Sequence, residues 1–130
     1  MKSCTDIKQS LRLAEFLPIE SADMKILPFN KREYRIVPVN DIAVYDTEDE
    51  VYAWSLAELL SILPPYLFEF ERGIDLNVYP NLNGKGWHCS YMPNCTENMK
   101  KDKFKLIINE DNLVDACYEM ILKLHELKML

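Results

Sequence analysis

At 130 residues the chain has the length of one domain and can bury a core without help from disulfides or metal. Its 48% hydrophobic and 28% charged residues exclude a disordered polymer, and a net charge of −6 opposes general binding to nucleic acid or anionic membrane. No segment approaches the ~20 apolar residues of a membrane span, and residues 1–10 lack the apolar stretch of a secretory signal, so the expected compartment is the cytoplasm.

Residues 5–17 read as a first helix, with Ile7, Leu11 and Ala14 on one face and Pro18 ending the run. Residues 18–53 are broken by Pro28 and Pro38. They read as an irregular arm or insertion, with short strands at 34–37 and 42–45 and a solvated acidic loop at 46–50. Such an arm is a natural surface for a second subunit. Ser55-Leu-Ala-Glu58 is a capping box: the Ser55 hydroxyl accepts from the Glu58 N–H, and the Glu58 carboxylate returns to the Ser55 N–H. Trp54 and Leu59 supply the matching hydrophobic staple, and Pro64-Pro65 ends this second helix.

Strands follow at 66–71, 74–79, 87–92 and 104–108. Asn83-Gly84 lies between two alternating runs, a strong hairpin signal. Residues 93–102 form a polar loop. A last helix spans 111–128, capped by Asp111, with Leu113, Cys117, Met120, Ile121, Leu124 and Leu127 along one face. The expected fold is α+β: an antiparallel sheet of three or four strands packed against helices. It is read as one domain over 1–130, with an α-β-β-β-α core at 54–130.

Each candidate for chemistry has a structural explanation. Cys4, Cys89, Cys95 and Cys117 lack metal-ligand spacing, and Cys89 and Cys117 read as small buried hydrophobes. His88 and Cys89 point to opposite faces of a strand, so they cannot share a ligand, and His88 reads as a surface or sheet-face residue. His125 suits the C-terminal end of its helix. The acidic loop lacks the spacing of a calcium loop, and Gly84-Lys85-Gly86 precedes a strand rather than a helix, so it is no phosphate loop. No catalytic residue, metal site or cofactor is expected.

Tyr79 falls on the polar side of its strand, where an exposed ring can stack a base or anchor a protein. With Lys85, His88, Lys100, Lys101 and Lys103 it forms the candidate interaction surface. The order helix, three strands, helix from residue 55 onward matches the topology of the double-stranded-RNA-binding domain. Asp111 and Asp115 stand where that fold places phosphate-binding lysines.

Gln9-Ser-Leu-Arg-Leu, Glu20-Ser-Ala-Asp-Met24, Ala53-Trp-Ser-Leu-Ala-Glu-Leu-Leu60, Trp87-His-Cys-Ser-Tyr91 and Asp111-Asn-Leu-Val-Asp-Ala-Cys117 together look familiar. They resemble a group of small uncharacterised proteins of gut bacteria, often in phage or mobile-element surroundings, with residues 28–51 standing apart. The group has no assigned activity, so the resemblance implies a context and no catalytic residues. The expected function is therefore a small non-catalytic interaction or accessory protein, its partner another protein or a second copy of itself. The alternative is a local nucleic-acid binder.

Overall fold

A computed structural model describes residues 2–28, 33–40, 50–67, 74–92 and 105–130. The chain divides into two compact units, residues 1–60 and 61–130.

In the first unit, residues 3–5 run antiparallel to residues 54–56. Thr5 N–H donates to the Trp54 carbonyl (3.0 Å), Leu56 N–H donates to the Ser3 carbonyl (3.0 Å), and Cys4 faces Ser55 as a β-bridge. The Thr5 hydroxyl oxygen accepts from Trp54 N–H at 3.1 Å and lies 2.8 Å from the Ser10 hydroxyl. Thr5 and Ser10 are 1% and 0% exposed, so these bonds replace water completely.

Helix α1 (Ile7–Leu13) starts at a capping box that the sequence carries as Asp6-x-x-Gln9. Asp6 Oδ1 accepts from Gln9 N–H (2.8 Å), and Gln9 Oε1 accepts from Asp6 N–H (3.1 Å). Its inward face differs from the expected one: Ser10 and Leu13 are buried, while Leu11 is 56% exposed. A serine with a buried partner hides the apolar period that would otherwise mark this face.

Residues 18–53 were expected to be an irregular arm, yet they build a second sheet. A single 3₁₀ turn (Ile19–Ser21) leads to β1 (Met24–Pro28), which lies between β2 (Tyr34–Pro38) and β3 (Val51–Ala53) in antiparallel pairing. The expected strand at 34–37 is β2, with Ile36 opposite Ile26. Strand β1 escapes a periodic reading because Ile26 and Leu27, neighbours on opposite faces, are both buried. Lys25 on the same strand reaches Glu50 at 3.2 Å and sits over the Tyr52 ring, 5.4 Å from its centroid. The expected strand at 42–45 and all but Glu50 of the acidic loop lie outside the described residues.

Helix α2 (Leu56–Ile62) begins where the capping box predicted. Ser55 Oγ accepts from Glu58 N–H at 3.2 Å. The return bond comes from elsewhere: Ser55 N–H donates to Asp23 Oδ1 (2.8 Å), and the Ser55 hydroxyl donates to Asp23 Oδ2. Asp23 does the work foreseen for Glu58. Trp54 and Leu59 are both 0% exposed, as the staple requires, and the Trp54 indole N–H donates to Ser21 Oγ at 2.9 Å.

The second unit holds an antiparallel sheet in sequence order: β4 (Tyr66–Leu67), β5 (Ile74–Pro80), β6 (Trp87–Tyr91) and β7 (Leu106–Glu110). Helix α3 (Leu113–Glu126) packs on β6 and β7. The α+β class, the antiparallel pairing and the C-terminal helix are those expected, with a second sheet added by residues 24–53. The cap of α3 is Asn112 rather than Asp111: its Oδ1 accepts from Asp115 N–H at 2.9 Å, and its Nδ2 donates to Asp115 Oδ2 at 2.7 Å. The buried face is Val114, Ala116, Cys117, Tyr118, Met120, Ile121 and Leu124, whereas Leu127 is 45% exposed.

Cys89 on β6 and Cys117 on α3 are free, 0% exposed and hydrogen-bonded to each other, the buried thiols that were expected. That bond, with burial, pushes the Cys89 thiol far up and draws Cys117 down, but both sulfurs are sealed from solvent, so neither is presented as a nucleophile. Tyr91 is also fully buried; its hydroxyl donates to the Pro64 carbonyl at 2.7 Å.

Two measurements test this account. Thr5→Val keeps the shape but strands Trp54 N–H and the Ser10 hydroxyl, so urea unfolding should show a loss of about 1–3 kcal/mol. Glu119 on α3 is held above its ordinary value near 4.5 by burial and then by Glu110, Asp115 and Glu126. A raised carboxyl destabilises the folded state once pH exceeds that ordinary value. Glu119→Gln should therefore raise Tm at pH 7, and the gain should fade below about pH 4.

Candidate ligand site at the β5–β6 hairpin

The site is built from a turn and the ends of three strands. Residues 81–86 join β5 to β6, closed by Asn81 N–H donating to the Gly86 carbonyl and Gly84 N–H donating to the Asn81 carbonyl, both at 3.0 Å. Two carboxamides stitch the turn from above. Asn81 Nδ2 donates to the Lys85 carbonyl, and Asn83 Oδ1 accepts from Lys85 N–H, each at 2.9 Å. Gly84 and Gly86 have φ of 77° and 78°, the left-handed region. The Asn83-Gly84 pair marked the hairpin correctly, but the second glycine lengthens it beyond a two-residue turn.

Below the turn, strand pairing sets the side chains in a row. Tyr79 on β5 lies opposite His88 on β6, and His88 lies opposite Asn109 on β7. The Tyr79 and His88 rings stack with centroids 4.3 Å apart and planes 15° from parallel. His88 Nδ1 is 3.2 Å from Asn109 Oδ1, and Nε2 is 2.7 Å from Ser90 Oγ. A carboxamide oxygen only accepts, so Nδ1 carries the proton, and in the neutral ring Nε2 accepts from the Ser90 hydroxyl. His88 is thus a sheet-face residue, 8% exposed and covered on one side by Tyr79.

Serine, histidine and asparagine in line have the connectivity of a nucleophile, its base and an orienting group. Ser90 is only 1% exposed, and it does not line the neighbouring hollow. The chain of bonds therefore fixes the imidazole rather than presenting a nucleophile.

That hollow is open, about 460 Å³, and lined by Tyr79, Asn81, Leu82, Asn83, His88 and Asn109. Its size is within the usual range of small-molecule sites. None of its lining side chains is a carboxylate, lysine or arginine. Tyr79 is 45% exposed, as its place on the polar side of the strand predicted, and Leu82 at the tip of the turn is 102% exposed.

Of the residues singled out from the sequence, Tyr79, Lys85 and His88 come together on this hairpin. Lys85 is exposed in the turn but outside the lining of the hollow. Lys100, Lys101 and Lys103 lie outside the described residues. The sequence reading missed Asn81, Leu82, Asn83, Ser90 and Asn109. Asn83 carried a signal, because asparagine before glycine is turn chemistry, and Asn81 after Pro80 carried a weaker one of the same kind. Asn109 carried none, since its place beside His88 depends on the register of β7 against β6.

No family model, curated protein or solved structure matches the chain, so the site stands on its own geometry. Among the described residues no helix is long and apolar enough to cross a membrane.

The two glycines separate two costs. A Cβ at Gly86 would sit 2.5 Å from the Glu110 carbonyl oxygen, whereas one at Gly84 would meet nothing within 4 Å. Gly84→Ala should cost about 1 kcal/mol for its backbone angle alone, and Gly86→Ala at least about 2 kcal/mol, read from unfolding midpoints.

Proposed function

We propose that this protein acts by binding rather than by catalysis, and that it binds through the β5–β6 end of the four-stranded sheet. The observation that carries the reading is Leu82: a large apolar side chain held wholly in solvent at a turn that two asparagines and two glycines keep in shape. An exposed leucine beside a half-exposed tyrosine and an uncharged hollow suits contact with another protein, where an apolar anchor enters the partner and a polar rim surrounds it. The inward direction of the Ser90–His88–Asn109 chain supports the non-catalytic part.

An accessory role in a phage or mobile-element setting is the context that the sequence resemblance implies. The cytoplasm is the proposed compartment, a reading that the three free, buried thiols of Cys4, Cys89 and Cys117 suit. A second reading, local nucleic-acid binding, rests on Tyr79 and Lys85 being exposed on one hairpin.

Capture from host extract on the immobilised protein, with and without nuclease, tests both. The expected result is a partner that survives nuclease and disappears with Leu82→Asp but not with Lys8→Ala on α1. Binding that vanishes with nuclease and falls steeply with added salt would put the nucleic-acid reading in its place.

A further inference from the structure

The lining of the hairpin hollow specifies a kind of ligand. Three carboxamides border it, and each has one half committed to the protein: Asn81 Nδ2 to the Lys85 carbonyl, Asn83 Oδ1 to the Lys85 N–H, Asn109 Oδ1 to His88 Nδ1. Those bonds fix the amide planes. They leave Asn81 Oδ1, Asn83 Nδ2 and Asn109 Nδ2 without a hydrogen-bond partner among the described residues, as one acceptor and two donors around the hollow. The aromatic wall is equally set in advance, because Tyr79 is braced against His88 while 45% of its surface stays in solvent.

We propose that this hollow binds a neutral saccharide, with the C–H face of one sugar ring on Tyr79 and its hydroxyls on the carboxamides of Asn81, Asn83 and Asn109. Charge selects against other small ligands. With no lysine or arginine in the lining, a phosphate or carboxylate would meet two amide donors but no positive charge. Geometry separates a sugar from a nucleobase. A base presents its donors and acceptors in one plane along an edge, which asks for protein groups side by side. The carboxamides here come from two positions in a turn and one on β7, spread around the rim. A pyranose carries hydroxyls around its whole circumference, each able to donate and accept, so dispersed groups of both kinds can be met by one ring.

Because the partners are held by the protein's own bonds, little order is lost on binding; the openness of the hollow still keeps affinity modest, with Kd near ~1 mM. This inference rests on the hairpin end being a contact surface, and it goes further by naming the ligand class.

The test is a nuclear magnetic resonance titration of the full, ¹⁵N-labelled chain with maltose, cellobiose and diacetylchitobiose, and with adenosine as a neutral base-bearing control. A neutral disaccharide should move the side-chain amide signals of Asn83 and Asn109 saturably. Tyr79→Ala should weaken it roughly tenfold, Tyr79→Phe should retain it, and Lys8→Ala on α1 should leave it unchanged. No saturable shift from any of the three sugars at about 50 mM would overturn the proposal, given the affinity expected of so open a site. So would a response to adenosine alone, or sugar binding indifferent to Tyr79→Ala. A Leu82-dependent partner captured by a chain that ignores all three sugars overturns the saccharide and leaves the binding reading intact.

Discussion

The first unit depends on a hydroxyl that has no water to fall back on. Thr5 Oγ1 takes the Trp54 N–H and bonds the Ser10 hydroxyl, so one buried atom ties the start of the chain, the first helix and residues 54–56 together. Those three segments are joined by bonds that cannot be exchanged for solvent, since an unmet buried donor costs more than a met one contributes. Around this point the remaining polar groups fall into place. Trp54 sends its indole N–H to Ser21 at the turn before β1, and Asp23 takes both the N–H and the hydroxyl of Ser55 at the start of α2. The turn before the sheet and the beginning of α2 are set by one pair of adjacent residues, Trp54 and Ser55.

In the second unit the organising constraint is register. Because Tyr79, His88 and Asn109 are opposite one another across three strands, a slip of one residue anywhere would send one of them to the face that α3 covers. The opposite face of the same strands holds Val78, Cys89 and Ile108 in an equivalent row, and Cys89 meets Cys117 of α3 there. The apolar row and the polar row therefore specify each other. The strand-borne part of the hollow's uncharged wall, Tyr79, His88 and Asn109, follows directly from that pairing.

How much of this could be read from the sequence depended on whether a residue's partner was near in the chain. The start of α2, the hairpin at Asn83-Gly84, the strand at 34–37, the exposure of Tyr79 and the long C-terminal helix all rest on local spacing, and all are found. Strand β1 was missed because a central strand with both faces covered shows no alternation. The face of α1 was misjudged because its buried position is a serine. Asp23 was invisible as a capping group since its partner Ser55 is 32 residues away. The hollow was half legible: Tyr79 and His88 were singled out, and Asn83 was in view as a turn residue. The wall contributed by Asn109 needed the pairing of β6 with β7, which no local pattern encodes.

The chain of bonds through His88 has a polarity. The ring gives its Nδ1 proton to Asn109 Oδ1, which leaves the Asn109 amide nitrogen as its open group, while the Ser90 hydroxyl, able to donate or accept, can meet Nε2 in either tautomer. With the proton on Nε2, Ser90 accepts instead, and Asn109 has to donate to Nδ1 and show its oxygen to the hollow. The sign of one wall, donor or acceptor, is thus tied to which nitrogen of a nearly buried ring carries the proton, and moving that proton across one imidazole would alter what the outside can recognise.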